Sequence, residues 1–277
     1  MTVMSSTKFG STEIKPGIGS IIHADKETLL AGEYAGAIRE LLEQRGVLVF
    51  PEIHFDDDEH IAFTHTLGKF ARELRGGDIY KVTLDAGQNA TAEYLKGAFF
   101  WHFDGFSSPM PIRASLLASK VLPPTGGNTE FCNTYAAYDA LTDEDKAMLE
   151  GKRAVHALAS TQLDLDPQPS YDKWLEWMQM GRKELPLVWK HESGRKSLVI
   201  GNSAHHIVGM DPLESKGLLI RLRDWATRDE FSYSHEWKVG DLVMWDNTGT
   251  LHRAMPYPLE SGRMLHRTKL EGEEPVA

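Results

Sequence analysis

Apolar positions recur with helical spacing over residues 28–45 (TLLAGEYAGAIRELLEQR), where Leu30, Tyr34, Ile38 and Leu41 fall near one face. Gly46 supplies a C-terminal stop for this helix. The next four residues, Val47 to Phe50, are continuously apolar and end at Pro51, a pattern that predicts a short buried strand. A second helix is predicted over 56–67, opened by Asp56, Asp57 and Asp58 at its positive dipole end. Strand-like runs follow at 112–118 and 128–133, separated by the turn Pro123-Pro124-Thr125-Gly126-Gly127. Residues 139–150 predict a helix with Thr142 as its N-cap, 170–180 a Trp-rich helix, and 212–227 a helix with Pro212 at its start. Strands return at 231–237, 241–246 and 263–270. No Pro/Gly/Ser linker divides the chain, and no repeat of about 20 to 50 residues is visible. The pattern therefore predicts one domain over 1–277, a β-rich core with helices laid outside it.

Charge narrows the function classes. The 277 residues carry 30 Lys+Arg against 40 Asp+Glu, a formal net charge of −10. A nucleic-acid surface needs a basic stripe that replaces counterions, so nucleic acid is not an expected partner. The single cysteine, Cys132, cannot form an internal disulfide, which fits a reducing compartment; on a predicted strand it reads as a buried small hydrophobe. Met1 to Lys15 lacks the apolar centre of a signal peptide, and no apolar run approaches the ~20 residues of a membrane span. The expectation is a cytoplasmic protein with no membrane partner.

The most informative stretch is Phe100-Trp101-His102-Phe103-Asp104-Gly105. On an extended strand His102 and Asp104 share a face, because successive side chains alternate. An imidazole and a carboxylate on one face make two-thirds of the 2-His-1-carboxylate ligand set of non-haem Fe(II) oxygenases, which leaves the opposite face of the octahedron open. Alone, an H-x-D arises often by chance. Context strengthens it: Trp245-Asp246-Asn247-Thr248-Gly249-Thr250-Leu251-His252-Arg253-Ala254 follows a predicted strand and carries a lone histidine. Arg263 and Arg267 then stand four apart on a predicted strand, with Leu265 between them. Burying guanidinium groups is costly unless each meets an anion, and arginine suits carboxylates through its bidentate fork. Residues 251–269 carry Arg253, Arg263, Arg267 and Lys269 against Glu260, a local +3 in an acidic chain.

At this point the sequence resembles the taurine dioxygenase / 2,4-dichlorophenoxyacetate dioxygenase family of Fe(II)- and 2-oxoglutarate-dependent oxygenases. The likeness runs from the GVLVFP strand (46–51) through HIAFTHTLG (60–68) to HRTKLEG (266–272). It rests on W-H-x-D at Trp101 to Asp104, G-G-x-T at Gly126 to Thr129, W-D-N-x-x-x-x-H-x-A at Trp245 to Ala254, and R-x-x-x-R at Arg263 and Arg267. Each motif alone is weak; their order and spacing together are specific. The resemblance implies that His102, Asp104 and His252 are the catalytic metal ligands for Fe(II), with 2-oxoglutarate and O2 as co-substrates. It implies that Arg263, helped by the Thr129 hydroxyl, binds the distal carboxylate of 2-oxoglutarate, and that Arg267 binds the acidic group of the prime substrate. It also implies a double-stranded β-helix (jelly roll), a β-rich α+β fold with flanking helices and a helical insert at approximately 135–182. Relatives are often dimers or tetramers, so a homo-oligomer is expected.

The chain departs from the taurine pattern. Residues 69–77 contain no histidine where taurine enzymes contact the sulfonate, and Ala98 stands where they place an asparagine. A larger or more apolar anion is expected, such as an aryloxyalkanoate, a carboxylate or another sulfonate. Tyr80, Phe99, Phe103 and Phe106 are candidate pocket residues, with ordinary core the competing reading. Among the other histidines, His54, His60 and His65 are expected around a surface helix in solvated or capping roles. His205 and His206 should point to opposite faces of a strand, and His266 should alternate away from the arginines. Asp246 and Asn247 are expected to shape the turn before His252. For the Trp/Met run 174–180, a substrate lid and a core or subunit-contact helix stay open. Alternatives are a same-fold oxidase performing desaturation or another oxidation, a non-catalytic jelly-roll binding protein, and a zinc hydrolase on the same three ligands. Halogenation is disfavoured because Asp104 supplies the carboxylate that halogenases of this group lack.

Overall fold

The structure, a computed structural model, describes residues 9–73 and 77–276. The chain opens with β1 (Gly10–Lys15), β2 (Ile18–His23), α1 (Lys26–Leu30), α2 (Ala35–Arg45), β3 (Val47–Phe50) and α3 (Asp57–Leu67). Strand β4 (Tyr80–Val82), α4 (Ala92–Leu95), β5 (Ala114–Val121) and β6 (Thr129–Asn133) follow. Helices α5 (Thr134–Asp139), α6 (Asp143–Leu149), α7 (Leu158–Leu163) and α8 (Tyr171–Gln179) come next, with β7 (Arg153–Ala157) between α6 and α7. Strands β8 (Arg182–Pro186), β9 (Val188–Lys190), β10 (Lys196–Leu198) and β11 (Ala204–Ile207) precede α9 (Pro212–Ala226). The last strands are β12 (Ser232–His235), β13 (Leu242–Asp246), β14 (Thr250–Ala254) and β15 (Met264–Leu270). No helix among the described residues is long and apolar enough to cross a membrane.

This is a mixed α+β fold with several sheets. The largest has the order β1-β2-β3-β13-β5-β15-β4, and a three-stranded sheet has the order β12-β6-β14. The continuous apolar run at 47–50 is explained by burial on both faces. Leu48 and Phe50 enter a core shared with Ile38, Leu42, Phe63 and Leu67 of α2 and α3, while Val47 and Val49 face Phe131, Trp237 and Trp245. Strand β13 divides in the same way, with Leu242 and Met244 on the first side and Val243 and Trp245 on the second. Each such side chain removed from water contributes about 1.5–3 kcal/mol, so the middle of the large sheet is a firm base for the residues at its edge.

Several elements depart from the sequence reading. The helix expected at 28–45 is two helices, because Gly32 adopts a left-handed conformation (φ 72) against Thr66 and stops α1. The apolar spacing continued across the break and concealed it. Helix α3 begins as expected, with a capping box between Asp56 and Glu59. His60, expected on the surface, is instead fully buried and bonds Thr268 of β15 through Nε2 at 3.0 Å. His205 and His206 do not diverge: an irregularity in β11 brings their Nδ1 atoms within 2.8 Å. His266 does turn away from Arg267, to Asp57 at 2.7 Å. Helix α8 buries Trp177 beside Ala157 and Ala159 while Tyr171, Leu175 and Met178 stay exposed. Cys132 is completely buried.

The buried imidazoles make stability sensitive to acid. Burial drives His60 down to about 3 and His156 down to about 4, so both are neutral in the folded chain near neutrality. Unfolded histidine takes up its proton near pH 6.5. Between those values the unfolded chain binds more protons, and stability falls as pH is lowered from about 6.5 towards 4. Urea midpoints measured across that range are expected to fall steadily, with a shallower fall for His60→Gln.

Candidate metal centre

His102 and His252 come together through the backbone. His102 N–H donates to His252 O at 3.1 Å and His252 N–H to His102 O at 2.8 Å, a reciprocal antiparallel pair. Residues paired in this way send their side chains to the same face, and the two rings sit with centroids 4.1 Å apart. The stretch around His102 is thus a single bridge to β14 and not the full strand expected, but it serves the same alternation. Asp104 returns to the side of His102, with a carboxylate oxygen 3.9 Å from His102 Nε2 and another 4.0 Å from His252 Nε2. Phe103, between them, points the other way. It packs in the core edge-on to His156, which agrees with the core reading of the two that the sequence left open. Phe106 packs against the same cluster.

Three neighbours fix this arrangement. Asn247 is 2% exposed; its Oδ1 accepts from Asp104 N–H and its Nδ2 donates to Asp104 O, both at 2.8 Å. Gly201 (φ 130) lets the chain run directly behind His102, since a Cβ there would meet Trp101 O at 3.0 Å and His102 Cα at 3.2 Å. The Asn202 N–H bond to Trp101 O at 2.8 Å completes the support. Asn247→Ala is expected to lower Fe(II) affinity about 10–100-fold, the usual effect of losing an orienting partner. Anaerobic Fe(II) titration, with circular dichroism as the folding control, measures it.

The donor set fits a metal. Among the described residues, one group of three or more potential ligands converges, and it is His102, Asp104 and His252, with ligand atoms within 4.8 Å of one another. His102 Nδ1 is engaged with Phe100 O at 2.8 Å, which leaves Nε2 to face the metal position. Burial would raise the Asp104 carboxyl, but Arg267 and both histidines outweigh it and hold it at about 2, so it is an anionic ligand. Burial drives His252 down to about 3, so it offers a neutral imidazole. A Glu274–His191–Ser197 relay elsewhere has the connectivity of a nucleophile triad, but Ser197 is completely buried and bonds Thr248 O, so its role is to brace the loop carrying Asn247.

The two arginines are placed differently. Arg263 precedes β15 rather than lying on it, and it is 3% exposed. Its Nη2 donates to Gly127 O at 3.0 Å, its guanidinium covers the Tyr257 ring, and its Nε has no partner among the described residues. No carboxylate among the described residues pairs with it, and burial pulls its basicity below the ordinary arginine value. Gly127 (φ 77) makes the close approach possible, since a Cβ there would stand 3.1 Å from Arg263 Nε. Thr129, on β6, is buried and accepts from Trp237 Nε1 at 3.0 Å. Arg267 lies on β15, with Nη1 bonded to Asp104 at 3.0 Å and the guanidinium over Tyr80. The sequence places Asn247 in the turn before His252 but does not show that its side chain clamps Asp104; Gly201 and Trp237 carry no sequence signal for their supporting roles.

Comparison with known proteins agrees with this centre. Residues 11–269 match the family described as taurine catabolism dioxygenase TauD, TfdA family. The chain belongs to this family. It is 38% identical over 254 residues to the alpha-ketoglutarate-dependent 2,4-dichlorophenoxyacetate dioxygenase of Burkholderia sp. (strain RASC), covering 83% of each chain. It is 31% identical over 252 residues to the alpha-ketoglutarate-dependent sulfate ester dioxygenase of Pseudomonas putida, covering 87% of this chain and 81% of that one. Among solved structures, AAD-2 in complex with Mn(II) and N-oxalylglycine superposes with a TM-score of 0.84 at 32% identity, over 97% of this chain and 99% of that one. The TauD/TfdA protein described here is an Fe(II)/2-oxoglutarate-dependent dioxygenase, with His102, Asp104 and His252 as its metal triad.

Proposed function

We propose that this dioxygenase hydroxylates a small organic anion, an aryloxyalkanoate, carboxylate or sulfonate, with release of succinate and CO2. The observation that carries the reading is Arg267, a largely buried cation bonded to the ligand Asp104 and forming part of the wall of a cavity of about 470 Å³. The triad itself does not line that cavity; what ties an anion held there to the metal is the 3.0 Å contact of Arg267 Nη1 with Asp104. The iron supplies activation of O2 through oxidation of 2-oxoglutarate. The chain supplies position: Arg263 and the Thr129 hydroxyl anchor the distal carboxylate of 2-oxoglutarate, and Trp237 occupies an acceptor position of that hydroxyl, leaving its proton to donate. Arg267 orients the substrate so that one C–H faces the metal, and orientation is the larger part of what a protein adds to such chemistry. Where the hydroxylated carbon bears oxygen, nitrogen or sulfur, the product fragments. The facing large sheet and β12-β6-β14 sheet are read as the two walls of a double-stranded β-helix, in one domain with a helical insert at about 135–182.

Screening aryloxyacetates, alkylsulfonates and small carboxylic acids for iron-dependent, substrate-stimulated succinate formation tests the reading. Stimulation by one of these classes is expected; stimulation only by neutral or cationic compounds would overturn it.

A further inference from the structure

The segment after α3 carries a carboxylate that the chemistry above does not use. Residues 69–71 run along the end of β15: Ala71 N–H donates to Lys269 O at 2.9 Å, Glu271 N–H to Lys69 O at 2.8 Å, and Phe70 bridges Leu270. This delivers Glu73 to the face of β15 shared by Arg267 and Lys269, which are two apart and so point the same way. Glu73 reaches Lys269 Nζ at 2.9 Å and Arg267 Nη2 at 3.5 Å. The side chains of Glu73, Lys269 and Arg267 are only 13%, 11% and 18% exposed. Glu73 and Arg267 both line the cavity of about 470 Å³, together with Tyr80, Asn89 and Thr91. Arg267 Nε is buried with no partner among the described residues.

We propose that Glu73 is a charge selector in the substrate pocket: it admits a monoanionic group to Arg267 and rejects a dianionic one. The inference rests on the reading of Arg267 as the substrate anchor. Two largely buried cations, Arg267 and Lys269, face two carboxylates, Glu73 and Asp104. Lys81, which also lines the cavity, is exposed and alternates away from Tyr80 and Arg267, so solvent screens its charge. Once Asp104 is committed to the metal, one positive charge is left unmatched. A single substrate charge balances it. A second charge would lie against Glu73 in a site sheltered from water, where like charges repel strongly. Carboxylates and sulfonates fit this arithmetic; phosphonates and phosphate esters do not.

The test uses a matched pair of probes, phenoxyacetate and phenoxymethylphosphonate. Calorimetry on enzyme loaded with Mn(II) and N-oxalylglycine, in which nothing turns over, gives their dissociation constants; succinate formation by the iron enzyme gives the corresponding KM values. Phenoxyacetate is expected to bind at least about 100-fold more tightly than the dianionic phosphonate. The gap should narrow at least about tenfold in Glu73→Gln, which keeps the shape and removes the charge, and persist in Glu73→Asp. In the unaltered enzyme, phosphonate binding should weaken as pH rises and the second charge forms, while phenoxyacetate binding does not follow that titration. Equal binding of both probes, or an unchanged ratio in a folded Glu73→Gln enzyme, overturns the role of Glu73 alone. Failure of both probes to bind overturns the reading of Arg267 as well.

Discussion

His102→Ala is expected to abolish the weak visible charge-transfer band that forms when Fe(II) and 2-oxoglutarate are added without oxygen. Succinate formation should fall by at least about 10³-fold, more than the 10–100-fold typical of losing a group that only orients a ligand. The reason lies in how few donors the site has. Three side chains converge, two of them joined by a reciprocal backbone pair, and no fourth histidine or carboxylate joins the group among the described residues. The substitution leaves the backbone bridge to His252 intact and removes nothing from the hydrophobic clusters, so the far-ultraviolet circular dichroism should be unchanged. A retained band in the folded variant would sink the ligand assignment.

The second large effect is expected at Arg263. Its alanine variant should raise the half-saturating concentration of 2-oxoglutarate by about 100-fold or more, while Arg267→Ala raises it far less. A hydrogen bond to a charged group contributes about 1.5–3 kcal/mol, and a forked arginine–carboxylate contact makes two. Even part of that sum reaches two decades at about 1.4 kcal/mol per decade. Arg263 is the better candidate because it is buried with Gly127 O and the Tyr257 ring but no carboxylate, whereas Arg267 already holds Asp104 and Glu73. Succinate formation titrated with 2-oxoglutarate separates the two variants, and the reverse order would mean that the roles are exchanged.

The parts of the molecule that were legible in the sequence share a physical property. The buried strand at 47–50, the capped helix α3 and the H-x-D pair are set by neighbours within a few residues, so spacing alone exposes them. Gly32 stopped a helix that the apolar spacing carried straight through, because a left-handed glycine leaves no mark on hydrophobic periodicity. His60 looked like a surface residue until Thr268 supplied its partner from the far end of the chain. Phe103 was open to two readings, pocket lining and core, and the alternation that brings His102 and Asp104 to one face sends it towards the core. The short strands β7 to β11 carried no clear alternation over three to five residues. Glu73, Gly201 and Trp237 act on residues remote in sequence, and a single sequence contains no record of such contacts.

The clamp between Asp104 and Asn247 closes across 143 positions of the chain. Its length bears on how the protein is made. During synthesis, His102 and Asp104 emerge well before their third partner, and a nascent chain ending ahead of β14 has the motif but no metal centre. Contacts of such separation form late, after the ordering cost of the intervening chain has been met by the sheets themselves. A metal centre assembled from such distant positions depends on the sheets already being in place, and iron bound to the finished scaffold would stabilise it by mass action, to an extent set by free iron and its affinity.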